Sequence, residues 1–245
     1  MPTFKITLAY DGTDFVGWQR QANGTSIQGL LEDALSDLDG RKVVVTGAGR
    51  TDAGVHALGQ VAGCSLDRAI TGAAVTRALN ARLPADIRVL SAAEVPPQFH
   101  ARFNARAKTY RYRIWNADVL SPFERRYVWH VEGALDVAGM DGAARLLEGH
   151  HDFAAFRAAG GTTRTTERTM TASRVDRRDR LVVYETTGDG FLRYMVRAIV
   201  GTLVEIGRGR QPPAWMGDVL GGRDRARAGP TAPPEGLFLV RVDYE

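Results

Sequence analysis

Strand-like and helix-like apolar patterns alternate along this chain, and the alternation runs through twice. Residues 4–10 alternate inward and outward side chains and read as a strand, closed by the turn Asp11-Gly12-Thr13-Asp14. Ser26 stands before apolar Ile27, Leu30, Leu31, Ala34, Leu35 and Leu38, which recur at helical spacing, so it is the expected cap of a helix. Val43-Val44-Val45 reads as a short strand ending at Gly47, residues 67–83 as a helix closed by Pro84, and residues 87–95 as a strand. The second half opens with a long strand over 105–115 and a helix over 136–147. Strands over 168–175 and 181–187 follow. The strongest amphipathic helix spans 191–206, with Leu192, Met195, Val196, Ile199, Val200, Leu203 and Ile206 on its apolar side, and residues 237–244 alternate as a closing strand. Two helices interleaved with strands in each half give an α+β fold of two helix-backed antiparallel sheet halves. The expected division is 1–104 and 105–245. Residues 158–166 and 221–234 read as loops.

Composition narrows the partners. The chain has 245 residues, 44% of them apolar and 24% charged, enough for a substantial core. Its net charge is +4, and Lys5, Lys42 and Lys108 are the only lysines. Arginine suits bidentate phosphate contacts and stacking on bases, although coding preference produces the same bias. A single cysteine, Cys64, excludes a disulfide within the chain and a cysteine-built zinc site. Its expected role is that of a small buried apolar side chain. No apolar run approaches the roughly 18 residues that span a bilayer, and no secretory pattern opens the chain. The expectation is a soluble, cytoplasmic protein with no membrane partner.

The densest polar segment is Thr46-Gly47-Ala48-Gly49-Arg50-Thr51-Asp52-Ala53-Gly54-Val55-His56. It follows a strand, so phosphate-binding loops are the first reading to test. A dinucleotide loop counted from Gly47 and Gly49 needs glycine where Asp52 stands, and a P-loop needs a terminal Gly-Lys-Ser/Thr that is absent. What remains is one carboxylate in a glycine-flanked turn, next to Arg50 and four residues from His56. A neighbouring guanidinium favours the ionised carboxylate, which can act as nucleophile or base. An aspartate that merely ties an Asx turn has the same local sequence, and the residues alone leave both readings open.

Distant segments bear on that choice. Gly49-Arg50-Thr51-Asp52-Ala53-Gly54-Val55-His56 resembles the signature of the TruA type of tRNA pseudouridine synthase. Tyr10-Asp11-Gly12-Thr13-Asp14-Phe15-Val16-Gly17-Trp18-Gln19-Arg20-Gln21 is similar to the N-terminal motif of that family. Phe99-His100-Ala101-Arg102-Phe103, Lys108-Thr109-Tyr110-Arg111-Tyr112, His151-Asp152-Phe153, Gly188-Asp189-Gly190-Phe191-Leu192 with Met195-Val196-Arg197, and Pro234-Glu235-Gly236-Leu237 match further motifs in order. Ser26-Ile27-Gln28, in place of Thr-Val-Gln, is a mild variant. The resemblance implies isomerisation of uridine to pseudouridine at positions 38, 39 and 40 of the tRNA anticodon stem-loop. It also implies a homodimer, no metal or organic cofactor, and two α+β halves joined in a central sheet beside a basic cleft.

The resemblance makes Asp52 the essential aspartate, Arg197 its cation partner, Tyr110 the residue that stacks on the base and Leu237 an apolar floor. By strand alternation Arg106, Lys108, Tyr110 and Tyr112 share a face, the mixture of aromatics and cations expected to meet RNA; a tyrosine covering a sheet edge is the alternative. Arg197 lies among apolar helix positions, where a buried guanidinium needs a carboxylate, and Arg193 sits one turn earlier towards RNA; both heads also have the option of reaching solvent. Arg20, Arg50, Arg102, Arg106, Lys108 and Arg111 are candidate tRNA contacts. Trp18 and Gln19 are expected to shape the loop, with Trp18 alternatively in the core; His56 is expected to bond within the loop, with an approach to RNA as the alternative. Arg174, Arg177, Arg178 and Arg180 read as a solvated hairpin tip. Two rivals remain: a tRNA-binding module or RNA chaperone without chemistry, and a nucleotide-dependent RNA enzyme.

Overall fold

The alternating run at the N-terminus forms β1 (Thr3–Tyr10) in the computed structural model, which describes residues 1–160 and 163–244. By its internal contacts the chain divides into Met1–Arg106 with Phe238–Glu245, and Ala107–Leu237. The last strand thus returns to the first unit, whereas chain order alone groups it with the second half.

In the first unit, β1 lies between β3 (His56–Ser65) and β4 (Ile87–Val95), antiparallel to both. β2 (Thr46–Gly47) pairs antiparallel with β3, and β10 (Leu237–Asp243) joins β3 in parallel, with Phe238 opposite His56. Helix α1 (Ile27–Asp39) starts at Ser26, whose hydroxyl accepts from the Gly29 N–H, a cap worth about 1 kcal/mol. It buries Ile27, Leu31, Ala34, Leu35 and Leu38 of the expected apolar stripe and leaves Leu30 half-buried at its edge. α2 (Gly72–Arg82) starts later than residue 67, capped by Thr71, whose hydroxyl accepts from the Ala74 N–H. The reason is local: the Asp39 carboxylate accepts from the backbone N–H groups of Asp67 and Arg68 and holds them outside the helix. The strand expected at 43–45 is also displaced, to Thr46–Gly47. Val43 N–H donates to Ser36 Oγ and Val45 N–H to Glu32 Oε1, so α1 rather than a neighbouring strand satisfies that backbone. β3 has no counterpart in the sequence reading: its alanines and glycines are buried on both faces and give no alternation.

In the second unit the antiparallel order is β5 (Ala107–Trp115), β9 (Leu181–Gly188), β8 (Glu167–Arg178) and β7 (Gly149–Asp152). β6 (Trp129–His130) runs parallel to β5. The helices are α3 (Val137–Arg145), α4 (Met195–Gly207) and α5 (Trp215–Gly222), one more than expected. Nearly every residue of α4 is buried, as an all-round apolar helix requires. α4 begins at Met195 rather than 191, because Tyr194 takes a left-handed backbone with φ 61°. The proposed loop 221–234 is more structured than its composition suggests. It starts at the end of α5, contains a 3-10 turn at Arg225–Arg227, and packs across α4. A Cβ on Gly201 would stand 1.6 Å from the Pro230 carbonyl oxygen, so only glycine admits that crossing. The other expected loop, 158–166, includes residues 161 and 162, which lie outside the described residues. Among the described residues no helix is long and apolar enough to cross a membrane.

Candidate active site

The loop bearing Asp52 is clamped from several sides within the first unit. Tyr10, at the end of β1, bonds through its hydroxyl to Thr51 Oγ1 at 2.8 Å. Gln60 of β3 donates to the Gly49 carbonyl at 2.9 Å and to the Tyr10 hydroxyl at 3.4 Å. Burial pushes the Tyr10 phenol up to about 12, with the Thr51 and Gln60 bonds opposing the shift. The Trp18 N–H donates to the Thr51 carbonyl at 3.0 Å, and Val55 N–H closes the turn onto the Asp52 carbonyl at 3.1 Å. Gly17, at φ 101°, lets its chain approach: a Cβ there would fall 2.6 Å from the Thr51 oxygen. Thr51 is buried and Asp52 is half-buried. The N-terminal motif is therefore the cradle of the aspartate loop.

A second chain of bonds fixes Arg50. Its Nε donates to Gln19 Oε1 at 2.9 Å, Gln19 Nε2 donates to Gln28 Oε1 at 2.6 Å, and Gln28 Nε2 donates to the Val45 carbonyl at 2.9 Å. Gln19 shapes the loop by this relay, whereas Trp18 is core: it is 2% exposed and packs where a Cβ on Gly47 would lie. His56 is buried at 1% exposure. Its Nδ1 accepts from the Gly12 N–H at 3.0 Å and lies 3.1 Å from Asp11 Oδ1, and its ring stacks on Phe238 at 4.7 Å. These contacts make His56 a buried structural tie, but to the Asp11–Gly12 turn and to Phe238 rather than within its own loop. Arg20 is held against α1, its Nε 3.1 Å from Glu32 and its terminal nitrogen on Asp33 and the Gly29 carbonyl. Cys64 is buried, and desolvation with the Asp39 charge raises its thiol to about 12.

The second unit holds the other candidates. On β5, Tyr110 is nearly buried and meets the Phe191 ring edge-on at 4.9 Å. Lys108 is half-buried on the same strand. Tyr112 shares the face but is fully buried, its hydroxyl donating to the Pro233 carbonyl at 2.7 Å. It is a core tyrosine, so the aromatic part of the expected RNA-facing stripe stops at Tyr110. Burial, with the Glu235 charge, raises the Tyr112 phenol, and Arg197 opposes that rise. Arg111 is engaged in the sheet, its Nε and Nη2 both donating to Glu185 Oε2 at 2.9 and 2.7 Å.

Arg197 emerges from the first turns of α4. Its Nε donates to the Ala232 carbonyl at 2.7 Å, while its own carbonyl accepts from Ala232 N–H at 3.1 Å. Its guanidinium lies 4.7 Å from the Tyr194 ring centre, and that of Arg193 lies 5.0 Å from it. Arg193 precedes the helix, so the two arginines bracket Tyr194 rather than stack at helical spacing. Leu237 is nearly buried after a 3-10 turn, Pro234–Gly236. Tyr10, Gln60, Gln28 and Tyr194 escaped the sequence reading; Tyr10 and Gln28 stood inside or beside recognised motifs, but nothing local signals their long-range partners. In the hairpin cluster Arg174 pairs with Glu148, Arg177 donates to Asn116 and Arg178 pairs with Asp176. Among the described residues no group of three or more His, Cys, Asp or Glu is arranged to hold a metal ion.

Comparison with known proteins matches the chain over residues 6–104 and 143–245 to a family model described as tRNA pseudouridine synthase. A protein named tRNA pseudouridine synthase A from Moorella thermoacetica is 49% identical over the whole of both chains. Its namesake from Syntrophotalea carbinolica is 47% identical, covering all of this chain and 97% of its own. That from Acetivibrio thermocellus is 45% identical across both full lengths.

Proposed function

Because the chain belongs to the tRNA pseudouridine synthase family, we propose that it isomerises uridine to pseudouridine at positions 38, 39 and 40 of the tRNA anticodon stem-loop, with Asp52 as the reacting carboxylate. The reaction breaks the bond from the sugar to uracil N1 and forms one to C5. N1 takes up a proton and C5 releases one, so substrate and product have the same composition. The observation that carries the assignment is the clamp on the Asp52 loop. Tyr10, Gly17 and Trp18 converge on Thr51 and Gln60 on Gly49, all within three residues of the carboxylate, which is the support a placed catalytic group needs.

In this reading Arg197 orients the ionised Asp52 in the reacting complex, Tyr110 stacks on the loosened base and Leu237 gives it an apolar floor. The target base must first leave the helical stack, at a cost of a few kcal/mol. Arg50, Arg20, Arg102, Lys108 and Arg193 supply tRNA contacts. Arg20 meets phosphate while retaining its acidic partners, or exchanges them for phosphate on binding. The active species is a cytoplasmic homodimer that uses neither metal nor organic cofactor. Mapping pseudouridine in unmodified tRNA treated with the protein tests the assignment. New pseudouridine confined to positions 38–40 is the expected result. Modification elsewhere, or none, contradicts it.

A further inference from the structure

The segment preceding β5 presents one aromatic ring outward in a way its surroundings do not require. Phe103 is 74% exposed. It does not sit on a slack loop. Phe99 and Ala101 point inward, with Ala101 fully buried in a small apolar cluster with Ala48 and Val61, and the Tyr244 hydroxyl donates to the Ala101 carbonyl at 2.6 Å. His100 Nδ1 accepts from the N–H groups of both Arg102 and Phe103 at 3.2 Å. Asn104 closes the turn, accepting from His100 N–H at 2.6 Å and donating its own N–H to the His100 carbonyl at 3.0 Å. The turn fixes the ring: His100 stacks on one side at 4.2 Å and 29°, and the Arg102 guanidinium lies 5.7 Å from the ring centre. Ala48, the residue the turn packs on, opens the loop that leads to Asp52.

A largely exposed aromatic ring with imidazole stacked on it and a guanidinium over it offers the aromatic surface and the cation that an unpaired base and its phosphate use. We infer that Phe103, supported by His100 and Arg102, is a stacking platform for an unpaired nucleobase of the tRNA, outside the reacting position. This inference rests on the tRNA-modifying reading above. The flanking cation favours a nucleic acid over an apolar protein surface, which would leave Arg102 to be desolvated.

The test measures tRNA affinity by fluorescence anisotropy for the full-length wild type and the Phe103→Ala, Phe103→Tyr and Arg102→Gln proteins. Each is also followed by sedimentation velocity and thermal unfolding. Loss of one stacked base weakens Phe103→Ala binding by about tenfold, while Phe103→Tyr stays close to wild type. Arg102→Gln weakens binding and flattens its salt dependence. Phe103→Ala binding tRNA as tightly as wild type overturns the inference. So does a loss of affinity accompanied by a changed sedimentation coefficient or a lowered Tm, which would mark Phe103 as a subunit or folding contact. The wild type is assayed for uridine conversion alongside. If it converts tRNA and Phe103→Ala binds normally, the platform alone is wrong; if it neither converts nor binds tRNA, the functional reading falls with it.

Discussion

Asp52 carries the proposed chemistry, but much of its setting is contributed by residues distant from its loop in the chain. Tyr10 is 41 positions from its hydroxyl partner Thr51, and Gln60 reaches back 11 positions to Gly49. Removing the Tyr10 hydroxyl leaves a buried Thr51 hydroxyl short of a partner, a cost of about 1–2 kcal/mol. Tyr10→Phe should therefore lower stability by that order. It should also lower kcat on the order of tenfold, with a smaller change in tRNA affinity, because a loosened loop misplaces the carboxylate. Steady-state kinetics and denaturant unfolding check this, and equal losses in kcat and binding would refute the positioning role. Cys64 gives a second prediction. With its thiol near 12, thiolate is scarce at pH 8, so iodoacetamide should label folded protein far more slowly than unfolded protein. The rate should rise with pH in proportion to the small thiolate fraction, because burial keeps the thiol protonated; rapid labelling at pH 8 would contradict this. At this scale the motifs pointed to the neighbourhood of Asp52 but not to what holds it. A hydroxyl partner 41 positions away in a loop leaves no local trace, and Tyr112 illustrates the same limit: period-two alternation puts it on Tyr110's face, yet that face runs into the core.

Elements were legible where periodicity was clean and illegible where it was not. β1, α1, β4 and the β8–β9 hairpin form close to where alternation and capping place them. β3 leaves no strand signature because glycine and alanine carry none, and α5 leaves no helix signature because eight residues with three glycines look like loop. Apolar spacing alone places the start of α4 four residues early. Tyr194 breaks it by a backbone turn at φ 61° that apolar spacing cannot reveal. The packing of residues 229–232 across α4 fixes Arg197, and glycine at 201 is what permits it. Gly201→Ala should lower Tm by roughly 3–10 °C, from an overpacking cost of about 1–3 kcal/mol, and should reduce kcat by displacing the Ala232 carbonyl from Arg197. An unchanged melting curve would mean that the crossing yields without strain.

Across the whole molecule, family membership rests on matches that run the length of the chain, and the net charge of +4 fits a phosphate-rich partner without proving one. If tRNA is held through several arginine–phosphate contacts, log affinity should fall linearly with log salt, with a slope of about −0.7 to −0.9 per contact. A flat salt response would exclude a binding mode of that kind. The central claim is that this protein converts tRNA uridine through the Asp52 carboxylate. It is tested most directly by tritium release from tRNA carrying [5-³H]uridine, comparing wild type with Asp52→Asn at matched fold and matched tRNA binding. The account predicts release by the wild type and none above background for Asp52→Asn, with the variant still binding tRNA. Continued release by a folded Asp52→Asn protein would contradict it.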